Sequence, residues 1–451
     1  MYSLRVKGFK TLMEVAVELG ELTILMGPPA SGKTNLAEAL TLLGYMVGEI
    51  LEKPALKRLS ATEQVQPAKP LGMLVRASTC DDVLSRLTGA PRRAWIRFGA
   101  DGISVDVIGY CSGLDPLALE ASLEVKIDDK VYLRVSGSVP LRRDEGLRLP
   151  LQLEELATQN RELAVLLNLF AALMQAPKKS REEETKLKVS GWPLGESNII
   201  DVTGGYNGRS LWIPLPRLYG FDRAVAAGFI SRGATTARFP FYLLEDASNL
   251  GFLLYTRGDV RVRVKELVEG YTNIRVEPLS DGRLAFFDGD REVGYSSVSD
   301  TVARLLYTLT ALYSNTPYTL QVGFETWEGT LAIRPLIVLE EPEAHVYPLA
   351  FTGLKEAVMD SLARGNLVAI TTHSGRLAQA FWEEADEKGV KAVVYYLYRE
   401  RGGPTQIYKV SMEALADMIE TLEYLTEKPP TASEIKDLEE NGVLMKVGRE
   451  S

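Results

Sequence analysis

Two short stretches about 300 residues apart carry the residue types that phosphate chemistry requires. Gly27-Pro28-Pro29-Ala30-Ser31-Gly32-Lys33-Thr34 has the spelling of a complete phosphate-binding loop. Glycine at 27 and 32 permits the turn and lets backbone N–H groups approach anionic oxygens. A helix starting at Lys33 points its positive dipole end at the same oxygens. In that geometry Lys33 reaches the β and γ phosphates and the Thr34 hydroxyl ligates Mg2+. The second stretch, Leu336-Ile337-Val338-Leu339-Glu340-Glu341-Pro342-Glu343, is an apolar strand that ends in carboxylates. Beside the loop, Glu340 is placed to bind the metal and Glu341 to polarise the attacking water. A third strand, Leu367 to Thr372, ends at His373-Ser374, where a neutral imidazole can meet the γ-phosphate or that water. Each stretch also has a plainer reading. These are a loop that binds nothing, an acidic turn starting a helix at Pro342, and Ser374 as a helix cap beside an exposed His373.

The elements that must position these groups are legible in outline. Residues 2–9 and 14–26 alternate as strands, and Glu21 to Met26 runs directly into the loop. Lys33 to Leu51 reads as a helix with Leu36, Ala39, Leu40 and Leu43 on one face. Lys53 to Leu71 reads as a loop, and residues 92–140 as an antiparallel sheet. Leu151 to Met174 reads as helix and Lys178 to Lys188 as a solvated charged stretch. Residues 190–295 are mixed, with helices near 222–232 and 240–255 and strands near 273–277 and 284–288, in no order that pattern alone supplies. Then come a helix from Asp300 to Tyr313, the strand 332–339, a helix 349–364, the strand 367–372, a helix after Ser374 and a strand from Lys391 to Tyr398. That alternation implies a parallel sheet in the C-terminal third.

Composition narrows the class. A net charge of −9 over 451 residues argues against a broadly basic surface that would hold nucleic acid unaided. The two cysteines, Cys80 and Cys111, form no zinc spacing or disulfide framework, which fits a reducing cytosol. No signal peptide is visible and the longest apolar run, Leu163 to Met174, is too short to span a bilayer, so the expected location is cytoplasmic with no membrane contact. Both histidines in the chain, His345 and His373, fall inside the motifs above.

The ordered set of motifs resembles the ABC-class ATPases of the OLD and SMC kind. Val6-Lys7-Gly8-Phe9-Lys10-Thr11 is similar to their opening strand, and Gly27 to Thr34 with Asn35-Leu36-Ala37-Glu38-Ala39-Leu40 to their Walker A and its helix. Glu340-Glu341-Pro342-Glu343-Ala344-His345 resembles the OLD-type Walker B and D-loop, and Thr371-Thr372-His373-Ser374 the switch-histidine segment. The likeness covers about residues 1–50 and 290–400. It implies an α/β ABC-type P-loop NTPase domain with a mixed or parallel sheet, flanking helices and an antiparallel β subdomain. It also implies that Lys10, Gly27, Pro28, Pro29, Ala30, Ser31, Gly32, Lys33, Thr34 and Asn35 bind nucleotide, with Glu343 and His345 in the D-loop position. A signature segment is expected before Walker B, and Tyr295-Ser296-Ser297-Val298-Ser299-Asp300 is the candidate, with Ser296, Ser297, Ser299 and Asp300 acting on the opposite subunit. Two departures stand out. Pro29-Ala30 replaces the usual Asn-Gly, and the signature segment lacks its glycine, so that a plain helix cap is its alternative reading. No convincing Q-loop glutamine is present, the region of Asp81-Asp82-Val83-Leu84 being its expected place.

The resulting division is 1–140 for the first half of the ATPase domain, 141–290 for an inserted helical and β lobe, 291–410 for the second half and 411–451 for a helical tail. No Toprim nuclease domain fits after residue 400, and no run is long enough for a coiled-coil arm. The expected activity is Mg2+-dependent ATP hydrolysis by a homodimer, an ATP-gated switch in DNA maintenance, repair or defence whose partner is DNA or a nuclease or effector protein. The alternatives are a non-hydrolysing, nucleotide-gated scaffold and, further off, an AAA+ or kinase-like enzyme.

Overall fold

The structure, a computed structural model, describes residues 2–48, 75–77, 79–85, 93–100, 103–111, 118–127, 130–140, 188–190, 211–221, 241–324, 327–344, 346–411, 423, 426 and 430–447. Expectations for 53–71, 151–174, 178–187 and 222–232 lie outside these residues, as do the last turn of the first helix and His345.

The chain opens with a hairpin of β1 (Tyr2–Phe9) and β2 (Leu12–Leu19), then β3 (Leu22–Met26) and α1 (Lys33–Val47). A short helix α2 (Cys80–Val83) precedes β4 (Arg93–Ala100), β5 (Ile103–Tyr110), β6 (Ala118–Ile127) and β7 (Lys130–Pro140). These four strands form the expected antiparallel meander. It continues onto the opening hairpin as one six-stranded sheet in the order β2-β1-β4-β5-β6-β7, with Val6 opposite Ile96.

Next come β8 (Lys188–Ser190), β9 (Leu211–Gly220), α3 (Leu250–Thr256) and α4 (Gly258–Thr272). A small sheet follows, of β10 (Ile274–Pro278), β11 (Leu284–Asp288) and β12 (Arg291–Val293). The last stretch runs α5 (Asp300–Ser314), β13 (Tyr318–Phe324), β14 (Trp327–Glu340), α6 (Ala350–Ala363), β15 (Leu367–Thr372), α7 (Gly375–Glu387), β16 (Ala392–Arg399), β17 (Thr405–Val410), α8 (Ala432–Glu440) and β18 (Leu444–Lys446). The C-terminal stretch therefore ends in a strand that joins a sheet, beyond the helix expected there.

The second large sheet has the order β18-β17-β16-β3-β15-β14-β13-β8, with β9 pairing β14. Its centre is parallel, as expected: β3 lies between β15 and β16, so Thr371 pairs Leu25 and Tyr396 pairs Met26. These strands read as unbroken apolar runs because both faces are covered. One face carries α1, which also contacts β1, β4 and β5 of the first sheet. Leu36, Ala39, Leu40 and Leu43 are buried as predicted, and so are Ala37 and Leu42 on the far side, because the helix is sandwiched. Gly44 lets α1 approach β9, since a Cβ there would lie 1.8 Å from the Pro216 carbonyl oxygen. The other face is covered by α3 to α6, with Leu267, Val302, Leu309 and Leu354 in one apolar cluster with Ile337 and Ile370.

Two sequence readings change. Strand β9 pairs β14 along its whole length and β8 pairs β13, so the large sheet draws two strands from within the segment read as an inserted lobe. Cys80 and Cys111 are bonded to each other, with Cα atoms 5.8 Å apart. The cysteines therefore give no support to a reducing compartment. The bond exists because β5 ends beside α2, a tertiary proximity that a spacing of 31 residues does not reveal.

Candidate functional site

Residues from the two ends of the chain meet where the central parallel strands end. β3 is fully buried and delivers Gly27 at φ +150°. A Cβ on Gly27 would sit 2.3 Å from the Leu397 carbonyl oxygen, so β16 dictates glycine there. Gly32, at φ +105°, faces Thr405 at 2.2 Å in the same sense. Ala30, where the resembling families carry glycine, adopts φ +60°, a left-handed conformation that alanine tolerates at some cost. The resulting cavity, about 420 Å3, is lined by Pro29 to Asn35 together with Glu341, His373 and Arg399.

Lys33 is buried within this cradle and donates to the carbonyl oxygens of Gly27 (2.7 Å) and Pro28 (3.0 Å). Burial brings its ammonium down to about 8, against the pull of Glu341, Glu343 and Glu340. The His373 Nδ1 atom is 3.3 Å from Lys33 Nζ, and His373 Nε2 is 2.7 Å from Glu341 Oε1. With Nε2–H donating to the carboxylate, Nδ1 is left to accept from the ammonium. That hydrogen bond is the leading reason the Glu341 carboxyl lies below the usual range; burial opposes it, and His373, Lys33 and Arg76 add charge attraction. Glu341 takes φ +44°, its N–H held by the Thr371 carbonyl (3.0 Å), a strained residue fixed by its neighbours.

Glu343 accepts from the Thr372 hydroxyl (2.5 Å) and the His373 N–H (3.1 Å), tying the turn after β14 to the end of β15. Burial pushes its carboxyl up, and its Oε2 is buried without a hydrogen-bond partner. Ser374 does cap α7, accepting from the Leu377 N–H (3.2 Å), but His373 is not merely exposed beside it, since its ring contacts Glu341 and Lys33.

The donors assigned to a metal are together. Thr34 Oγ1 donates to Glu340 Oε1 at 3.0 Å, beside the phosphate cradle. Among the described residues no group of three or more His, Cys, Asp or Glu could hold a metal. A hydroxyl, one carboxylate and substrate oxygens form the hard donor set that Mg2+ prefers. The residues therefore fit that ion.

Other candidates fall differently. Lys10 does not line the cavity; its Nζ is held by Glu38 Oε2 (2.6 Å) and the Val75 carbonyl (2.5 Å). Asn35 does line it, and donates to the Thr11 hydroxyl (2.6 Å). Ser297, Ser299 and Asp300 lie at the start of α5, outside the cavity of their own chain. Ser299 makes no side-chain capping bond and is exposed, which removes the plain-cap reading for that residue. Sequence reasoning missed Arg399 on the cavity wall and Arg76, whose Nη2 is 2.5 Å from Glu340 Oε2. Neither arginine belongs to a motif read from the sequence; β16 carries Arg399 to the cavity wall, and the turn at 75–77, held by Lys10, carries Arg76 to Glu340.

Comparison with known proteins gives one family match. Residues 211–378, 168 of the 451, match the family described as "AAA domain, putative AbiEii toxin, Type IV TA system". No curated protein matches the chain. Solved structures similar to it include an SMC head bound to the C-terminal winged-helix domain of ScpA (12% identity, 92% of this chain and 98% of that one, TM-score 0.47). An SMC head domain from Thermotoga maritima (10%, 91% and 98%, TM-score 0.36) is another. A third is an SMC head with an extended coiled coil from Pyrococcus furiosus, bound to the C-terminal domain of ScpA (11%, 94% and 100%, TM-score 0.43). The family match covers less than half of the chain, and the segment it covers contains β14 and β15, whose ends carry Glu340, Glu341 and His373 beside the loop Gly27–Thr34.

Proposed function

We propose that this chain binds ATP with Mg2+ and hydrolyses it, and that two copies close head-to-tail over two nucleotides as a switch. The observation that carries the reading is the continuous chain Lys33–His373–Glu341, with contacts of 3.3 and 2.7 Å. Lys33 and the loop N–H groups bind the β and γ phosphates. Thr34 and Glu340 would hold Mg2+, which would supply charge neutralisation on those phosphates. His373 holds Glu341 as an ionised acceptor, so Glu341 orients and polarises the attacking water. With its carboxyl below the usual range it is a weak base, and orientation is its main contribution.

Ser297, Ser299 and the N-terminus of α5 supply the contact to the partner's γ-phosphate, which accounts for their exposure and their distance from the cavity of their own chain. The segments 1–140, 141–290, 291–410 and 411–451 serve as two halves of the ATPase, an insert and a tail, with β9 shared between insert and sheet. The family description names a toxin–antitoxin system, which supports a defence role with an effector-protein partner over one in DNA maintenance.

The test is Glu341→Gln. Equilibrium binding of a fluorescent ATP analogue should persist, turnover should fall by at least about 100-fold, and the ATP-loaded variant should run as a dimer in light scattering. Parent-like turnover in Glu341→Gln would remove the catalytic assignment. Binding and dimerisation with no turnover in the parent would favour the non-hydrolysing scaffold, which the missing signature glycine already points toward.

A further inference from the structure

The two oxygens of Glu340 are both in use. Oε1 accepts from the Thr34 hydroxyl and Oε2 from Arg76 Nη2, at 3.0 and 2.5 Å. Thr34 and Glu340 are the pair that fits a divalent cation, so a guanidinium stands where the second positive charge would have to go. Arg76 is free to leave. Its side chain is 58% exposed, so swinging away costs little desolvation.

A second carboxylate is within reach. Arg76 Nε is 3.9 Å from Glu38 Oε1. That oxygen is buried with no hydrogen-bond partner, while Lys10 holds the other oxygen of Glu38 at 2.6 Å. Glu38 stands one turn along α1 from Thr34. An unsatisfied buried carboxylate oxygen is costly, and an arriving guanidinium would satisfy it.

The backbone at Arg76 is held in place. Arg76 takes φ +45°, a left-handed conformation that persists only where the surroundings impose it. Lys10 Nζ donates to the Val75 carbonyl at 2.5 Å, the Lys10 N–H to Val83 O at 3.1 Å, and Thr79 and Asp82 close a capping box on α2. Cys80 is bonded to Cys111, the residue just beyond β5. The segment is anchored on both sides of the arginine, and the side chain is the part able to move.

We propose that Arg76 is an internal cation that competes with the divalent metal for Glu340 and transfers to Glu38 when the metal binds. The proposal rests on the nucleotide-site reading above. It makes metal loading an exchange of one cation for another, so that Glu340 is not left as an uncompensated carboxylate. Two positive charges on one carboxylate repel each other, which sets the direction of the exchange.

The test titrates Mn2+ into the full chain, with the free-ion EPR signal as readout and a non-hydrolysable ATP analogue present. The analogue's own affinity is measured separately in chelator. Arg76→Gln should bind Mn2+ about fivefold more tightly than the parent, the scale of a half-exposed ion pair. Arg76→Lys should stay within about twofold of the parent, because a cation remains. Should Arg76→Gln fail to fold, Arg76→Asn serves instead, since asparagine suits the left-handed backbone. Mn2+ affinity that is unchanged or weaker in the neutral variants, with analogue binding intact, overturns the role of Arg76 alone. A parent chain that binds no analogue overturns the nucleotide reading and this proposal with it.

Discussion

Replacing Lys33 with methionine should destroy nucleotide binding and at the same time make the unliganded protein more stable. Lys33 is a buried ammonium whose titration falls from the usual 10.5 to about 8. A base with a lowered folded-state value carries an energetic cost wherever it is charged in both states. At about 1.4 kcal/mol per pH unit, the drop corresponds to about 3 kcal/mol below pH 8. Methionine fills much the same volume without the charge. It leaves the Gly27 carbonyl without the Lys33 donor, at about 1 kcal/mol, while Pro28 O still receives the Ser31 N–H. The net gain is about 2 kcal/mol. At about 2 cal/mol/K of unfolding entropy per residue, a chain of 451 residues should gain about 2 °C in Tm. Differential scanning fluorimetry at pH 7 reads this directly, with and without Mg·ATP. The parent should rise on adding nucleotide and the variant should not. The gap between the two unliganded proteins should then close as pH climbs from 8 toward 10.5, where the unfolded lysine also loses its proton. A Lys33→Met variant that melts lower than the parent at pH 7, or a gap that widens above pH 8, would refute the burial argument.

Three other perturbations follow from the same geometry. His373→Ala removes the main cause holding the Glu341 carboxyl below its usual range, so the acid limb of the pH–rate profile should move to higher pH; an unmoved limb means the hydrogen bond does not set that titration. By the same sign, stability from the Glu341–His373 contact is present above the ordinary carboxylate value and is lost as pH falls through the lowered one. Gly44→Ala forces a methyl against the Pro216 carbonyl oxygen and should cost about 3 kcal/mol, read as a fall in urea midpoint; a neutral outcome would show that α1 and β9 do not pack as described. Cys80→Ser should lower stability by about 3 to 4 kcal/mol, the chain-entropy value for a loop of 31 residues, and reductant should lower the parent to match; insensitivity to reductant would mean that the bond is not formed in solution.

The core of the candidate site was readable because each of its strands is an apolar run with a chemically marked tip. Leu22 to Met26 ends at glycine, Leu336 to Leu339 at two glutamates and Leu367 to Thr372 at histidine, and burial on both faces leaves no alternation to confuse the pattern. β9 was not readable, because Pro214 and Pro216 argue against a central strand. Two prolines two residues apart place both missing donors on the same edge, so the opposite edge remains competent to pair β14. Helix α4 was obscured for another reason. Val260, Val262 and Val264 alternate with charged residues as a strand would, yet Val260, Val264, Leu267 and Val268 form the buried helical stripe and Val262 is 63% exposed. Arg76 and Lys10 could not be placed from sequence, since their partners Glu340 and Glu38 are set by tertiary proximity.

The sheet order also constrains how the protein is made. β3 is the third strand synthesised, yet its neighbours β15 and β16 are complete only at residues 372 and 399. An emerging chain therefore holds a phosphate loop whose supporting strand lacks both of these partners until synthesis passes residue 366. Such long-range closure slows folding and exposes an apolar segment to aggregation. It also guards against misuse, because a ribosome-bound fragment or a truncated product has no pocket to fill. Ligand occupancy becomes a certificate that synthesis has passed residue 399.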